Sequence, residues 1–188
     1  MKFYMLDVTI LSNNAVILDE PDIYLEGHNG NWIGGTRLKF TPEEPLRYTI
    51  EPTKDLKLVC YYPGAVPLMT SEMVQALYEA GVDNLEVFDA IVHDTENDIT
   101  FDHYKSVNIV GTYAGVDTEA SESVNLGIDD EDTVNTFYDY MVLRDDIPED
   151  LHLFRLAESV KIVVVSEKVR DILIKHGLTD LEFLEEYE

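Results

Sequence analysis

Two histidines and two aspartates between residues 93 and 103 are the side chains of this chain that most resemble metal ligands. His93-Asp94 and Asp102-His103 flank a turn-like tetrapeptide at residues 95–98. If that turn closes a β-hairpin, the histidines could lie close together, and two histidines with a carboxylate suit zinc or iron. The spacing matches no established ligand motif, and alternating polar residues on a solvent-facing strand explain it equally well. A metal-dependent enzyme is therefore kept as an alternative, and the main prediction is a protein with no catalytic residue, metal or cofactor.

Neither a nucleophile nor a phosphate-binding loop is indicated elsewhere. Cys60 is the single cysteine and lies among apolar residues, so an internal disulfide is excluded and a position in the core is expected. The glycine-rich segment 27–35 lacks the Lys-Ser or Lys-Thr pair that completes a P-loop. Its expected role is a turn that lets Trp32 fold back onto the core.

The charge of the chain is strongly negative and unevenly placed. The net charge is −25, from 13 Lys and Arg against 38 Asp and Glu. Residues 58–143 contain one basic residue, Lys105, and 17 acidic ones. Such a field repels nucleic acid and anionic membranes and attracts cationic proteins, although high charge can also serve solubility alone. No segment has the roughly 18 apolar residues of a membrane helix, and the first ten residues do not form a signal peptide, so a cytoplasmic protein is expected.

A segment near the C-terminus repeats the pattern of a segment near the middle. Each copy has an apolar extended run, a serine at a helix start, about three helical turns, a glycine and an edge-like strand. Coincidence between two strand–helix–strand pieces is the alternative. In the ungapped alignment up to the helices, Leu58 corresponds to Leu153 and Ser71 to Ser166, and one residue is inserted after that point. Gly81 and Gly177 should end the helices in the left-handed conformation.

The elements that follow from these patterns predict an α+β fold: a mixed, largely antiparallel sheet with two short helices packed against it. We expect one domain. Its parts are a β-rich N-terminal part at 1–54, a first strand–helix–strand unit at 55–92, an acidic hairpin and loops at 93–149, and a second strand–helix–strand unit at 150–188. The apolar residues of 134–143 fit a helix or a strand, and periodicity does not decide between them.

Three C-terminal motifs resemble the closing signature of an immunity-protein family of bacterial polymorphic toxin systems. The residues of 68–88 are similar to the middle motif of that family, whereas the first 50 residues match it loosely. Asp180 stands where the family pattern leads us to expect a glycine. The motifs are Leu153-Phe154-Arg155-Leu156, Val163-Val164-Val165-Ser166-Glu167 and His176-Gly177-Leu178-Thr179-Asp180-Leu181-Glu182-Phe183.

This resemblance implies a non-enzymatic inhibitor that binds a cognate toxin domain and protects the producing cell. A basic, nucleic-acid-cleaving toxin would complement the acidic surface, and a few buried anchors would set the lifetime of the complex. The rival reading is an acidic mimic of nucleic acid that binds basic proteins weakly; the oligomeric state is open. For the contacting surface we predict Asp94, Glu96, Asp98, Asp102, Asp129, Asp130, Glu131 and Asp132, with Tyr104 or Tyr113 as anchors.

Arg155 lies alone between two apolar residues on an expected strand. The predicted role is structural, with the guanidinium pairing a carboxylate across the sheet or at a helix end. A place in the partner interface is the alternative. Ser71, Ser166, Gly81 and Gly177 are also predicted to be structural.

Overall fold

The computed structural model describes residues 1–9, 15–21, 32–51, 57–124 and 136–187. This part contains two helices, α1 (Ser71–Glu79) and α2 (Glu167–Lys175), among fourteen short strands. The strands are β1 (Phe3–Val8), β2 (Ile17–Asp19), β3 (Leu46–Ile50), β4 (Tyr61–Tyr62), β5 (Leu68–Thr70), β6 (Leu85–Asp94), β7 (Ile99–Ile109), β8 (Thr112–Tyr113), β9 (Glu122–Val124), β10 (Phe137–Val142), β11 (Leu153–Leu156), β12 (Val163–Ser166), β13 (Leu181–Leu184) and β14 (Glu186–Tyr187).

The described strands form three sheets, in the orders β2-β3-β6-β7-β5-β4, β13-β1-β12-β11-β8 and β14-β10-β9. All pairs are antiparallel except β3 with β6 and β11 with β8. The predicted α+β class, with largely antiparallel sheets, is confirmed. The segment whose periodicity was ambiguous forms the strand β10, because its apolar residues meet a neighbouring sheet and not a helix-binding face.

Two parts of the chain have the same strand order, and we call them repeat unit 1 (β4, β5, α1, β6 and β7) and repeat unit 2 (β11, β12, α2, β13 and β1). In both units a hairpin leads into the helix, and the strand after the helix lies two places from that hairpin. The intervening place is filled by β7 in repeat unit 1 and by β1 in repeat unit 2. The repeat that the sequence indicated is therefore larger than a strand–helix–strand segment.

The strand register supports this equivalence. Thr70 lies opposite Tyr104 of β7, and Ser166 lies opposite Phe3 of β1. The same correspondence continues to the pairs Leu85↔Ile109 and Val8↔Leu181. A match of register over the length of two strands is not expected from two unrelated pieces, so the repeat is structural.

The register also corrects the sequence alignment in two places. Thr70, not Ser71, corresponds to Ser166, so the one-residue insertion precedes the helices. Pairing within the hairpins puts Tyr61 and Leu153 in equivalent positions, because each lies opposite the residue before the cap. An ungapped alignment could not show this, because the loops inside the two hairpins differ in length.

The N-terminal caps follow the corrected alignment. The Thr70 side chain accepts from the N–H of Met73 at 3.2 Å, and the Ser166 side chain accepts from the N–H of Val169 at 3.4 Å. The Ser71 hydroxyl instead donates to the His103 carbonyl at 2.9 Å, which ties the helix start to β7. The prediction that Ser71 is a cap was therefore wrong by one residue: the cap is Thr70, and threonine is also a preferred N-cap residue.

The two helices end as predicted at glycines in the left-handed region. Gly81 has φ +90° and Gly177 has φ +76°. In both units the N–H of the residue after the glycine bonds back to a carbonyl of the last helical turn. The strands that follow differ from the prediction, because only β13 is at a sheet edge and β6 lies between β3 and β7.

The helices share one core between the two larger sheets. Met73 and Leu77 of α1 pack in the same buried cluster as Val169 and Leu173 of α2. A second cluster, around Trp32, Tyr48 and Leu68, covers the other face of repeat unit 1, and a third, around Met5, Met141 and Phe154, covers the other face of repeat unit 2. Trp32 is 1% exposed, in agreement with the prediction that it folds onto the core.

The last turn of each helix also has an exposed apolar residue. Tyr78 of α1 is 50% exposed, because it follows the buried Leu77 on the outer side of the last helical turn. Its equivalent in α2, Ile174, is 56% exposed.

Candidate partner-binding surface

The predicted hairpin at residues 95–98 is present and joins the two longest strands, β6 and β7. Asp94 pairs with Ile99 at its end, and Asp98 has φ +52°, which lets the chain reverse in four residues. Aspartate tolerates this conformation better than most residues do. The tight turn therefore places the acidic side chains of this segment at one end of the sheet.

Asp94 is part of the structure of this turn. It is 6% exposed, and its carboxylate accepts from the N–H groups of Glu96 and Asn97 and from the Asn97 side-chain amide at 2.8 Å. The side-chain and backbone hydrogen bonds from Asn97 hold the pKa of Asp94 below its usual value. Three hydrogen bonds to this carboxylate therefore lie inside the turn, and a partner contact at Asp94 stays a prediction.

The other acidic candidates of the hairpin face solvent. Glu96, Asp98 and Asp102 are exposed, and we call them, together with Ile99, the hairpin tip. Asp98 makes one side-chain contact, with the Nε2 atom of His93 at 3.3 Å. Ile99 is 46% exposed between these charges. Ile99 was not among the predicted contact residues, although an apolar residue next to a polar turn is a signal that could have indicated it.

The two predicted anchors have different environments. Tyr104 is 1% exposed, and its hydroxyl donates to the Val59 carbonyl at 2.8 Å. The ring lies in the cluster around Trp32 and Tyr48, and the role of Tyr104 as an anchor stays a prediction. Tyr113 is partly buried, with its ring against Phe154 at a centroid distance of 5.6 Å. Part of its surface stays exposed.

Four further predicted contact residues lie outside the described residues. They are Asp129, Asp130, Glu131 and Asp132.

The histidines and aspartates do not assemble into a metal site in the part of the chain that the structure describes, where no group of three or more potential ligands converges. His93 contacts Asp98, and its strand neighbour is Thr100. His103 stacks on Tyr104 with ring centroids 4.7 Å apart. The register pairs His93 with Thr100 and Ala90 with Tyr104, so the two histidines are not opposite each other on the hairpin.

Cys60 is buried, as predicted for a core residue, with 6% of its surface exposed. Burial and the neighbouring Asp180 carboxylate raise the pKa of its thiol. The thiolate needed for nucleophilic attack is therefore disfavoured.

Arg155 is as buried as a core leucine, with 1% exposed. Its Nη1 donates to the Val160 carbonyl at 2.8 Å and its Nη2 to the Trp32 carbonyl at 3.5 Å. No described carboxylate pairs with it, which corrects the predicted partner, and its buried Nε has no hydrogen-bond partner within the described ranges. Burial without a counter-charge lowers the pKa of the guanidinium.

Comparison with known proteins identifies a family. The model of the family described as "Immunity protein family (Imm11)" matches residues 2–188. No curated protein matches the chain. Neither helix of the described ranges has the length and apolar content needed to cross a membrane.

Proposed function

Because this chain belongs to the immunity protein family Imm11, we propose that it binds a cognate bacterial toxin domain and neutralises it by covering the toxin's active site with an acidic surface. The match over residues 2–188 is the observation on which this proposal rests. The protein acts by binding, without catalysis, in the cytoplasm of the cell that makes the toxin.

Charge supports the acidic surface. A net charge of −25 speeds the approach of a basic partner and repels nucleic acid and anionic membranes. The hairpin tip adds a local concentration of this charge, because none of its three carboxylates is paired with Lys or Arg within the described residues. The partner is therefore expected to be a basic toxin domain.

An apolar contact must hold the complex after the charges have guided the encounter, since exposed ion pairs contribute little to affinity. Ile99 is suited to that role because it lies among the tip carboxylates and is half exposed. Tyr113 remains a second anchor. The acidic run at residues 129–132 belongs to the proposed surface on its charge alone.

The direct test is coexpression with the toxin domain encoded next to this gene. We expect cell survival and a stable one-to-one complex that co-purifies through a tag on the toxin. Continued killing without a complex would overturn the proposal.

The acidic surface is tested by a triple variant, Glu96→Gln, Asp98→Asn and Asp102→Asn. We expect the association rate with the toxin to fall about tenfold at low salt and the difference to shrink at high salt, because charge steering is screened. The control is Asp139→Asn, Asp145→Asn and Asp150→Asn, which removes the same charge from exposed positions on other elements. Equal effects of the two triples would mean that net charge, and not the hairpin tip, determines the rate.

A further inference from the structure

A pocket of about 340 Å³ lies where the hairpin of repeat unit 1 meets the hairpin of repeat unit 2, and we call it the Arg155 pocket. The residues that define it are Arg155, Tyr61, Lys161, Ile33, Pro63 and Pro67. Its volume is near the lower end of the range for ligand-binding pockets, roughly 300 Å³.

The guanidinium of Arg155 has more donors than the protein uses. A guanidinium has five N–H groups, and two hydrogen bonds, to the Val160 and Trp32 carbonyls, account for its contacts with the described residues. A buried cation without a counter-ion is costly, and arginine is commonly satisfied by a carboxylate that accepts from two of its N–H groups. An anion at this position would accept from the unused N–H groups and compensate the charge of Arg155.

Two other donors line the same pocket. Tyr61 is 2% exposed, and no hydrogen bond joins its hydroxyl to a described residue. Lys161 is exposed, and among the described ion pairs it has no carboxylate partner. The carboxylate of Glu20, which is close to the wall, accepts instead from the N–H groups of Ala65 and Val66 at 3.2 and 2.9 Å. Glu20 thus shapes the wall and does not neutralise Arg155.

These donors and the surrounding walls select the kind of anion. Ile33, Pro63 and Pro67 offer apolar surface, which suits a short aliphatic chain beside the charged group. The net charge of −25 penalises a dianion such as phosphate more than a monoanion. We propose that the Arg155 pocket binds a carboxylate, and that in the complex with the toxin this group is an Asp or Glu side chain of the toxin.

The second half of this proposal rests on the proposed function, whereas the first half does not. A protein that is acidic overall would then present one basic cavity to its partner. Arginine in a desolvated pocket is among the residues that contribute most to protein interfaces. An acidic toxin residue seated there would fix the orientation of the complex, which the acidic surface alone does not.

The first experiment titrates the purified full-length protein with propionate at constant ionic strength, with propionamide as the uncharged control of the same shape. The NMR chemical shifts of Arg155, Tyr61 and Lys161 report on binding, because these residues line the pocket. We expect a saturable change in the millimolar range with propionate and none with propionamide, since small ligands bind weakly. No change with propionate, or equal changes with both, would overturn the carboxylate site.

Two variants locate the binding without disturbing the fold. Tyr61→Phe removes a hydroxyl that has no described partner, and Lys161→Gln alters an exposed side chain. We expect each to weaken propionate binding at least about fivefold with an unchanged melting temperature, because each removes a donor to a charged group. Lys39→Gln, at an exposed lysine away from the pocket lining, should bind as the wild type does. Wild-type binding by both pocket variants would contradict the proposal.

Dissociation rates of the toxin complex decide whether the carboxylate in the pocket belongs to the toxin or to a small molecule. Faster dissociation of the toxin from Tyr61→Phe and Lys161→Gln, but not from Lys39→Gln, would support a toxin side chain in the pocket. If the two pocket variants release the toxin at the wild-type rate and the wild type binds propionate, a toxin side chain does not occupy the pocket. The pocket is then assigned to a small carboxylic acid. If the toxin forms no complex with the wild type, the proposed function fails, while the propionate result stands by itself.

Discussion

Repeat unit 1 and repeat unit 2 have the same strand order and register, but they obtain their central strand differently. In repeat unit 1 the central strand β7 follows β6 directly through the hairpin, whereas in repeat unit 2 it is β1, from the other end of the chain. Repeat unit 1 can therefore be assembled from one continuous segment. Repeat unit 2 is complete only when the N-terminus pairs with the C-terminal segment, which makes its contacts long-range and slow to form.

The turns after the two helices differ in polarity in a corresponding way. The Asn84 side chain donates to the carbonyls of Val110 and Leu153, at 2.6 and 3.0 Å. At the equivalent position, the Asp180 carboxylate accepts from the N–H of Cys60 at 2.5 Å. Each unit thus contacts the hairpin of the other. Asn84 faces two carbonyls and needs an amide donor, whereas Asp180 faces an N–H group and needs an acceptor. This hydrogen bond explains why Asp180 stands where a glycine was expected.

The largest expected effects test whether the helices are equivalent in the shared core. Leu77→Ala and Leu173→Ala should each lower the free energy of unfolding by about 3 kcal/mol, because both side chains are fully buried in one cluster. Urea denaturation measures both values. Costs that differ by more than about 2 kcal/mol, or two separate unfolding transitions, would show that the units do not share a cooperative core.

The polarity of the two turns is tested by exchanging their residues. Asn84→Asp should cost about 2 kcal/mol, since a carboxylate would then face two carbonyl oxygens in place of the amide donor. Asp180→Asn should cost about 1 kcal/mol, because its amide oxygen can still accept from Cys60. Chemical denaturation of both variants gives the comparison. If Asp180→Asn lowered the free energy of unfolding more than Asn84→Asp does, the donor role of Asn84 and the acceptor role of Asp180 would be contradicted.

The two glycines allow a finer comparison. Gly81→Ala and Gly177→Ala should each cost about 1 kcal/mol, because an L side chain is strained at these positive φ values. A Cβ atom at Gly81 would lie 3.2 Å from the Lys168 Nζ, whereas nothing lies within 4 Å at Gly177. Since a lysine end can move away, the two melting temperatures should be close. A much larger loss at Gly81 would mean that Lys168 is held in place.

The smallest expected effect is a pH dependence at the contact between the helix ends. Glu79 of α1 accepts from His176 and Lys175 of repeat unit 2, each at 2.9 Å, and these hydrogen bonds, His176 first, lower the pKa of Glu79 below its usual 4.5. A lowered pKa gives stability that is present above 4.5 and is lost as the pH falls through the folded-state value. The melting temperatures of the wild type and Glu79→Gln should therefore differ slightly at neutral pH and converge in acid. A difference that is unchanged down to acid pH would exclude this contact as its cause.

Some of this fold could be predicted because the signals are local. The helix periodicity, the glycines at the helix ends and the turn at residues 95–98 depend on residues within a few positions of one another, and the structure has all three. The apolar extended run expected before α2 is the strand β12, which is fully buried between β1 and β11. These features needed no knowledge of distant partners.

The candidate contact residues were harder to predict because exposure depends on what packs against a strand from elsewhere. Asp94 and Tyr104 belong to the hairpin that the sequence indicated. The Asp94 carboxylate accepts hydrogen bonds inside the turn, and the Tyr104 hydroxyl donates to the Val59 carbonyl. Ile99 was missed, although it is exposed beside them.

By itself, the sequence determined the α+β class, the two capped helices, the strongly negative charge and the resemblance to an immunity-protein family, because each of these follows from composition or from neighbouring residues. Only the tertiary structure decided that β1 completes repeat unit 2, that Ser71 donates to the His103 carbonyl, and that Arg155 has no described carboxylate partner. Such pairings join residues far apart in the chain, where the gain from packing and hydrogen bonding outweighs local preference.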